Sequence, residues 1–192
     1  RKVWYEPCKN ELDDPFKGAN IVPNDPRFIV QRGERVFVAG SDDNDDTVYI
    51  SDVMNPYYFP LTTSMQVPPD SDRISGLAVF NNSIIVGRRL DIYAITGNTN
   101  RTDIDGSLFQ LIKLNTHVGF ANQRAVVNAH NYLFFLGTDG MFYALKYVSD
   151  GNDVLVTQIL SQTVDIFGDP INVTKDDIWN AHSVFFEDCL YT

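Results

Sequence analysis

The stretch Gly76–Thr96, "GLAVFNNSIIVGRRLDIYAIT", decides the fold. An apolar run rich in Val, Ile, Leu and Phe is followed by an Asn-rich turn and a second apolar run ending in Gly87. A second turn then leads to a third apolar run, which carries Tyr93. Branched and aromatic residues bounded by Asn, Gly and Asp read as short strands joined by tight turns. The same plan occurs in Arg27–Ser51, "RFIVQRGERVFVAGSDDNDDTVYIS", and in Arg124–Lys146, "RAVVNAHNYLFFLGTDGMFYALK". The corresponding glycines are Gly40 and Gly137, and the corresponding tyrosines are Tyr49 and Tyr143. The glycines are spaced by 47 and 50 residues (87 minus 40, 137 minus 87).

Between the units lie further strand candidates, "YYFPLTTSMQV", "SLFQLIKLN" and "DVLVTQILS", so each unit reads as three strands plus a fourth. Four strands at a period of 40 to 50 residues is the signature of propeller blades. One four-stranded sheet cannot bury both faces alone, whereas stacking blades around an axis buries them and leaves only short edges. A β-sandwich would show strands without the long period. The fold class expected is therefore all-β, with β-propeller-like four-stranded antiparallel blades. About three blades are present, and "SVFFEDCLYT" from Ser183 begins a fourth, as a part of a larger propeller. Residues 1–26, rich in Pro and Asp, read as an irregular lead-in, and residues 27–192 as one incomplete domain of blades. Each Gly that ends a second strand is expected at positive φ in a tight turn. Each repeated Tyr is expected to pack between blades rather than contact a ligand. "VTKDDIWNAHS" predicts one or two helical turns, with Thr174 as N-cap and Asp176 and Asp177 at the positive end of the dipole.

The 192 residues are 44% hydrophobic and 21% charged, ordinary globular values with enough apolar material for a real core. The net charge of −10 speaks against a nucleic-acid binder, whose surface is usually basic. The nearest thing to a basic cluster is Arg88–Arg89, a lone pair and weak evidence. The longest apolar run, Tyr132–Leu136, is far too short to span a membrane. No stretch reads as a signal peptide, and the opening "RKVWYEP" leads us to expect a fragment of a longer chain. Cys8 and Cys189 do not make a disulfide framework, and sequence leaves open whether they pair. Acceptor patterns at Asn81, Asn100 and Asn172 fit chance matches in Asn-rich turns.

The chemistry expected is sparse. In "SDDNDD" (Ser41–Asp46), Asp42, Asn44 and Asp46 alternate like the first ligands of an EF-hand. Counting from Asp42, however, the sixth position is Thr47, where Gly is needed, and the twelfth is Val53, where Glu is needed. The flanks are strands, so the loop reads as an acidic, solvent-facing hairpin tip, with cation binding by Asp42–Asp46 left open. "DIDGS" from Asp103 fails the Asp-box spacing of sialidase propellers because Asp105 and Gly106 are adjacent. His117, His130 and His182 lack metal spacing, and no nucleophile elbow or phosphate loop is present. Any carboxylate pair chosen for glycoside hydrolysis would be arbitrary in so acidic a chain. No catalytic, cofactor-binding or metal residue is therefore assigned, and no enzyme activity is expected.

The segments Arg35–Pro60 ("RVFVAGSDDNDDTVYISDVMNPYYFP"), Ile74–Gly97 and His117–Leu145 resemble, in pattern and strand order, bacteriophage virion proteins of the tail and head–tail connector: the stabilisation and tail-nozzle proteins. The likeness extends from about Arg27 onward and includes "SQTVDIF", the helix candidate and a new strand. It implies a β-propeller structural protein that forms homo-oligomeric rings, commonly hexameric, with neighbouring tail or connector proteins. DNA would be its passing cargo, the virion its location after assembly in the host cytoplasm, and cofactors and catalysis would be absent. Negative lumen walls would repel phosphates, an expectation motivated by the net charge. The chain is much shorter than a full-length member of that group. The alternative is a host-receptor or carbohydrate-binding propeller, with Tyr57, Tyr58 and Phe59 as an aromatic platform. Burial of that platform under a neighbouring blade is the reading favoured for the stretch.

Overall fold

The structure, a computed structural model, describes residues 20–21, 23–68, 72–99, 109–114, 116–149, 153–159, 180–186 and 189–191. Strands β1 (Phe28–Arg32), β2 (Arg35–Ala39), β3 (Thr47–Ile50) and β4 (Met65–Gln66) form one sheet. A second comprises β5 (Gly76–Phe80), β6 (Ser83–Gly87), β7 (Ile92–Gly97) and β8 (Phe109–Lys113). The third holds β9 (Val126–Ala129), β10 (Tyr132–Leu136), β11 (Phe142–Ser149) and β12 (Asp153–Ile159). A hairpin of β13 (Val184–Phe186) and β14 (Cys189–Tyr191) follows. Every sheet is an antiparallel meander in sequence order. This is the all-β, propeller-like arrangement expected: three blades and the first hairpin of a fourth.

The alternation of side chains along each strand sends neighbours to opposite faces, and in the middle sheet both faces are buried. Leu77, Ile84, Val86, Tyr93 and Ile95 join Phe37, Ala39, Val48 and Ile50 in a core between the first and second sheets. Ala78, Phe80, Ile85, Ile92 and Ala94 join Leu133, Phe135, Tyr143 and Leu145 in a core between the second and third. Each fully buried Ile, Leu or Phe contributes about 1.5–3 kcal/mol. A two-layer sandwich would bury one face of each sheet, so the doubly buried middle sheet favours stacked blades. The first strands set the axis: β5 lies against both β1 and β9, and β13 lies against β9.

Pairing refines the repeat. The β1–β2, β5–β6 and β9–β10 hairpins close at Arg32↔Arg35, Phe80↔Ser83 and Ala129↔Tyr132, so second strands begin 48 and 49 residues apart (83 minus 35, 132 minus 83). In that register Tyr49, Tyr93 and Tyr143 occupy one position, opposite Val38, Val86 and Phe135. All three are buried; Tyr93 and Tyr143 pack between blades as expected, whereas Tyr49 packs with Val38 and Phe59 on the outer face of its own sheet. The glycines do not share one cause. Gly40 has φ +73°, but Gly87 and Gly137 are not in the left-handed region. Gly87 is needed because a Cβ there would lie 2.0 Å from the Phe120 ring, and Gly87 falls one residue before the place held by Gly40 and Gly137. The helix expected from Thr174 falls mostly outside the described residues, as do Cys8, Asn100, Asn172 and most of the lead-in 1–26.

Candidate functional site

The strands give the blade stack two unlike ends. At the leading end lie the starts of the first strands and the turns between second and third strands. At the hairpin end lie the turns that join first to second strands.

At the leading end, Arg27 precedes β1, Arg73 precedes β5, and Arg124 sits in a single 3-10 turn (Gln123–Ala125) before β9. All three are exposed and line one cleft of about 250 Å³, with Phe28, Ile74 and Ser75 among its other walls. Hairpin register makes Arg27, Ser75 and Arg124 equivalent, each five residues before the last of its first strand. The frame beneath them is tied down. Gln123 clamps the backbone of Leu77, accepting from its N–H at 2.6 Å and donating to its carbonyl at 2.8 Å. Ser75 Oγ donates to the Phe120 carbonyl at 2.8 Å. Asn122 Oδ1 caps the 3-10 turn by accepting from Ala125 N–H at 2.9 Å. Arg27 pairs with Asp42 at 2.7 Å, but both side chains are about half exposed, so the pair contributes only about 0–1 kcal/mol.

Carboxylates surround this basic centre one strand further out. Asp42, Asp43 and Asp45 are exposed on the turn between β2 and β3, and Asp139 is exposed on the turn between β10 and β11. The first strands themselves, Phe28–Arg32, Gly76–Phe80, Val126–Ala129 and Val184–Phe186, carry no Asp or Glu. Among the described residues, then, the negative charge sits on turns rather than on the first strands. The acidity belongs to turns because Asp competes for local backbone bonds and fits strand interiors poorly.

Those turns have a structural task that the sequence reading did not assign. Asn44 Nδ2 donates to Tyr49 Oη at 3.0 Å, and Tyr143 Oη donates to Asp139 Oδ2 at 2.5 Å. The turn of each outer blade thus supplies the partner that its buried tyrosine hydroxyl needs. Burial, then the hydrogen bond and charge of Asp139, pushes the Tyr143 phenol up to about 12. Tyr93 instead has Lys113 Nζ 5.8 Å above its ring. "SDDNDD" is more than a solvated tip. The carbonyls of Asp46 and Asp45 accept from Val67 and Ile74 N–H at 2.9 and 3.0 Å, fixing the crossing to the next blade. The Asp46 carboxylate accepts from Gln66 and Thr47, so the loop's side chains face separate protein partners. Among the described residues, no group of three His, Cys, Asp or Glu side chains converges as a metal site.

At the hairpin end, Asn81, Asn128, His130, Asn131, Tyr132 and Lys146 line a second cleft of about 500 Å³. Tyr132 stacks on Phe134 with centroids 5.7 Å apart, and Asn128 is fixed by donating to the Val79 carbonyl at 2.9 Å. Beside this cleft two arginines are structural. Arg32 bonds Asn82 Oδ1 at 3.2 Å and the Gly97 carbonyl at 2.7 Å. Arg35 bonds the Thr99 and Ser51 carbonyls at 3.1 and 2.7 Å and lies over the Phe109 ring. Burial lowers the pKa of both, and the charge of Asp52 opposes that effect for Arg35.

The aromatic platform does not form as one surface. Tyr58 and Phe59 are buried, whereas Tyr57 is 72% exposed. Phe59 packs with Val38, Tyr49 and Ile21 on the first sheet's own outer face, not beneath a neighbouring blade. His117, His130 and His182 are exposed and lie on three different connections. The arginine cleft went unread because its members span 97 residues (124 minus 27) and none of them is adjacent to another basic residue. The available signal was an arginine within three residues before each of the first strands β1, β5 and β9.

No family model and no curated protein matches the chain. Among solved structures it is similar to the N-terminal domain of Nup159, with 17% identity and a TM-score of 0.45, over 73% of this chain and 32% of that one. It is also similar to a chain in the S. cerevisiae complex of Dbp5 with Nup159, Gle1, IP6 and ADP, with 14% identity and a TM-score of 0.45, over 78% of this chain and 39% of that one. The chain thus spans well under half the length of the solved chains it matches.

Proposed function

We propose that the chain is part of a structural virion protein of a bacteriophage tail or head–tail connector. Its blades form part of a conduit through which DNA passes, and the protein assembles with its own copies and neighbouring tail proteins without catalysis. The observation that carries this reading is the axis itself. First strands of successive sheets stand side by side around one line. The outer faces of the first and third sheets favour continued stacking: Ile29 is 72% exposed, and Tyr132, Phe134 and Phe142 are half-buried. Electron microscopy and mass photometry of the purified protein test the reading. Ring-shaped oligomers with a central channel are expected, and a protein that stays monomeric at micromolar concentration would overturn it.

The glycan-binding alternative now rests on a different place from the aromatic platform. The amides of Asn81 and Asn131 beside Tyr132 offer the donor, acceptor and stacking surface that sugar rings use. Glycan-array binding lost on Tyr132→Ala would favour it over the conduit.

A further inference from the structure

We propose that the cleft framed by Arg27, Arg73 and Arg124 is a phosphate-binding site, taking a ligand that presents two or more negative charges. This goes beyond the conduit reading and does not depend on ring formation.

The first support is charge placement. The chain carries a net charge of −10. Yet among the described residues neither the Arg73 nor the Arg124 guanidinium has an ion-pair or hydrogen-bond partner, although both line the same cleft. Two nearby carboxylates along the chain and in the turn are engaged: Asp72 accepts from the Arg89 backbone N–H at 3.1 Å, and Asp42 holds Arg27. Two unpaired guanidiniums facing one space repel each other, and a bound anion removes that repulsion.

The second support is construction. The arginines stand on backbone held by the Gln123 clamp, the Ser75 bond and the Asn122 cap, so their bases are fixed before any ligand arrives. Part of the wall is apolar, through Phe28, Ile74 and Ala121, which strengthens charge–charge attraction there. Phosphate fits better than a single carboxylate. Each guanidinium offers five N–H donors in a planar fork suited to phosphate oxygens, and three such groups exceed the charge of one carboxylate. The Arg27–Asp42 pair is solvent-exposed, so Arg27 can exchange that partner for the ligand. A volume of about 250 Å³ holds a phosphate or pyrophosphate group, or one stretch of single-strand backbone, but no duplex.

The test is titration of the purified protein with pyrophosphate by calorimetry and with labelled oligothymidylate by fluorescence anisotropy, at low and moderate salt. Binding of either probe, weakening as salt rises, is expected. Pyrophosphate alone would mark a free phosphate ligand, and the oligonucleotide would mark a phosphodiester backbone. The double variant Arg73→Gln/Arg124→Gln is expected to lose about tenfold or more in affinity and to lower the salt slope of the single-stranded oligonucleotide by about 1.4. Arg89→Gln, an exposed arginine outside the cleft, should bind as the wild type does. Circular dichroism checks that the variants fold, and the wild-type salt dependence stands without them. Failure of both probes at low salt would overturn the proposal. So would equal losses in the Arg89 variant, or tighter binding of a polyglutamate peptide than of pyrophosphate.

Discussion

Gly87→Ala probes the interlock between the second and third blades. The added Cβ would stand 2.0 Å from Phe120 Cδ2 and 2.3 Å from its Cγ. Carbon atoms pack at about 3.5–4.0 Å, so the ring must retreat by roughly 1.5 Å. It has little room to do so. Phe120 is fully buried and meets the Phe135 ring at a centroid distance of 5.0 Å, within the core shared by the two sheets. Overpacking in such a site costs about 1–3 kcal/mol, and loss of the whole Phe side chain from the core bounds the effect at about 3–5 kcal/mol. We expect Gly87→Ala to destabilise by about 2–4 kcal/mol, read as a lower urea midpoint with unchanged m. The companion is Phe120→Ala, itself costing about 3–5 kcal/mol. With the ring gone, the clash disappears, and alanine's better strand entropy makes Gly87→Ala neutral or stabilising by about 0.5–1 kcal/mol. The double-mutant cycle should therefore show a coupling of about 2–5 kcal/mol. Equal costs for Gly87→Ala with and without Phe120 would refute the reasoning, because the clash would then not be the cause.

Two further outcomes follow from the buried polar groups. Because the Tyr143 phenol is raised to about 12 in the folded chain and lies near 10 when unfolded, the unfolded chain loses its proton first. The stabilising difference is intact below about pH 10 and is lost as pH rises toward about 12, with a slope of about 1.4 kcal/mol per pH unit. Tyr143→Phe should remove that slope in urea melts across the window, and an unchanged slope would show that the alkaline loss arises elsewhere. Arg35→Ala removes the cation that binds the Thr99 and Ser51 carbonyls, leaving both acceptors and a void, and should cost about 3–5 kcal/mol. Arg35→Met fills the void and should recover part of that loss in thermal melts; equal losses in the two variants would show that packing is not part of the arginine's role.

The repeat was legible because each unit carries the same local signals: strand-forming runs, turn residues and a tyrosine. Register placed Tyr49, Tyr93 and Tyr143 at one position, since strand periodicity propagates from a hairpin without help from the rest of the fold. What stayed hidden depends on contacts between units. Gly87 looks like a turn glycine and is a packing glycine, because Phe120 comes to it from 33 residues away (120 minus 87). Phe59 looks like a platform residue but closes its own sheet, because the bridge Asn20↔Pro60 and the bond from Ile21 N–H to the Phe59 carbonyl bring the stretch back over β2 and β3. The arginine cleft was invisible to a scan for adjacent charges, although the starts of the first strands bring its members to one end of the blade stack.

The two ends of the blade stack are finished differently, and this bears on how a ring closes. On the first sheet, the outer part is sealed by its own chain: Val38, Tyr49 and Phe59 are 3%, 4% and 7% exposed. The inner strand is not sealed, since Ile29 and Gln31 face solvent. On the third sheet, the face away from the second is half-covered across β10 and β11, and the next hairpin approaches from the axis side at β9. A blade arriving at the first sheet can therefore bury apolar surface near the axis without displacing the Phe59 cover. Burying the exposed Ile29 side chain contributes about 1.5–3 kcal/mol, whereas stripping Phe59 from its site costs about 3–5 kcal/mol. Closure through inner strands with the cover retained is therefore the geometry expected if a further blade adds to the first sheet. A chain that closed by swapping the cover for a neighbouring blade would instead expose Phe59. Phe59→Ala separates the two. It should lower the stability of the isolated chain by about 3–5 kcal/mol while leaving assembly intact wherever folding is preserved by osmolyte. Assembly enhanced by Phe59→Ala would point to the swapped arrangement and refute closure through the inner strands.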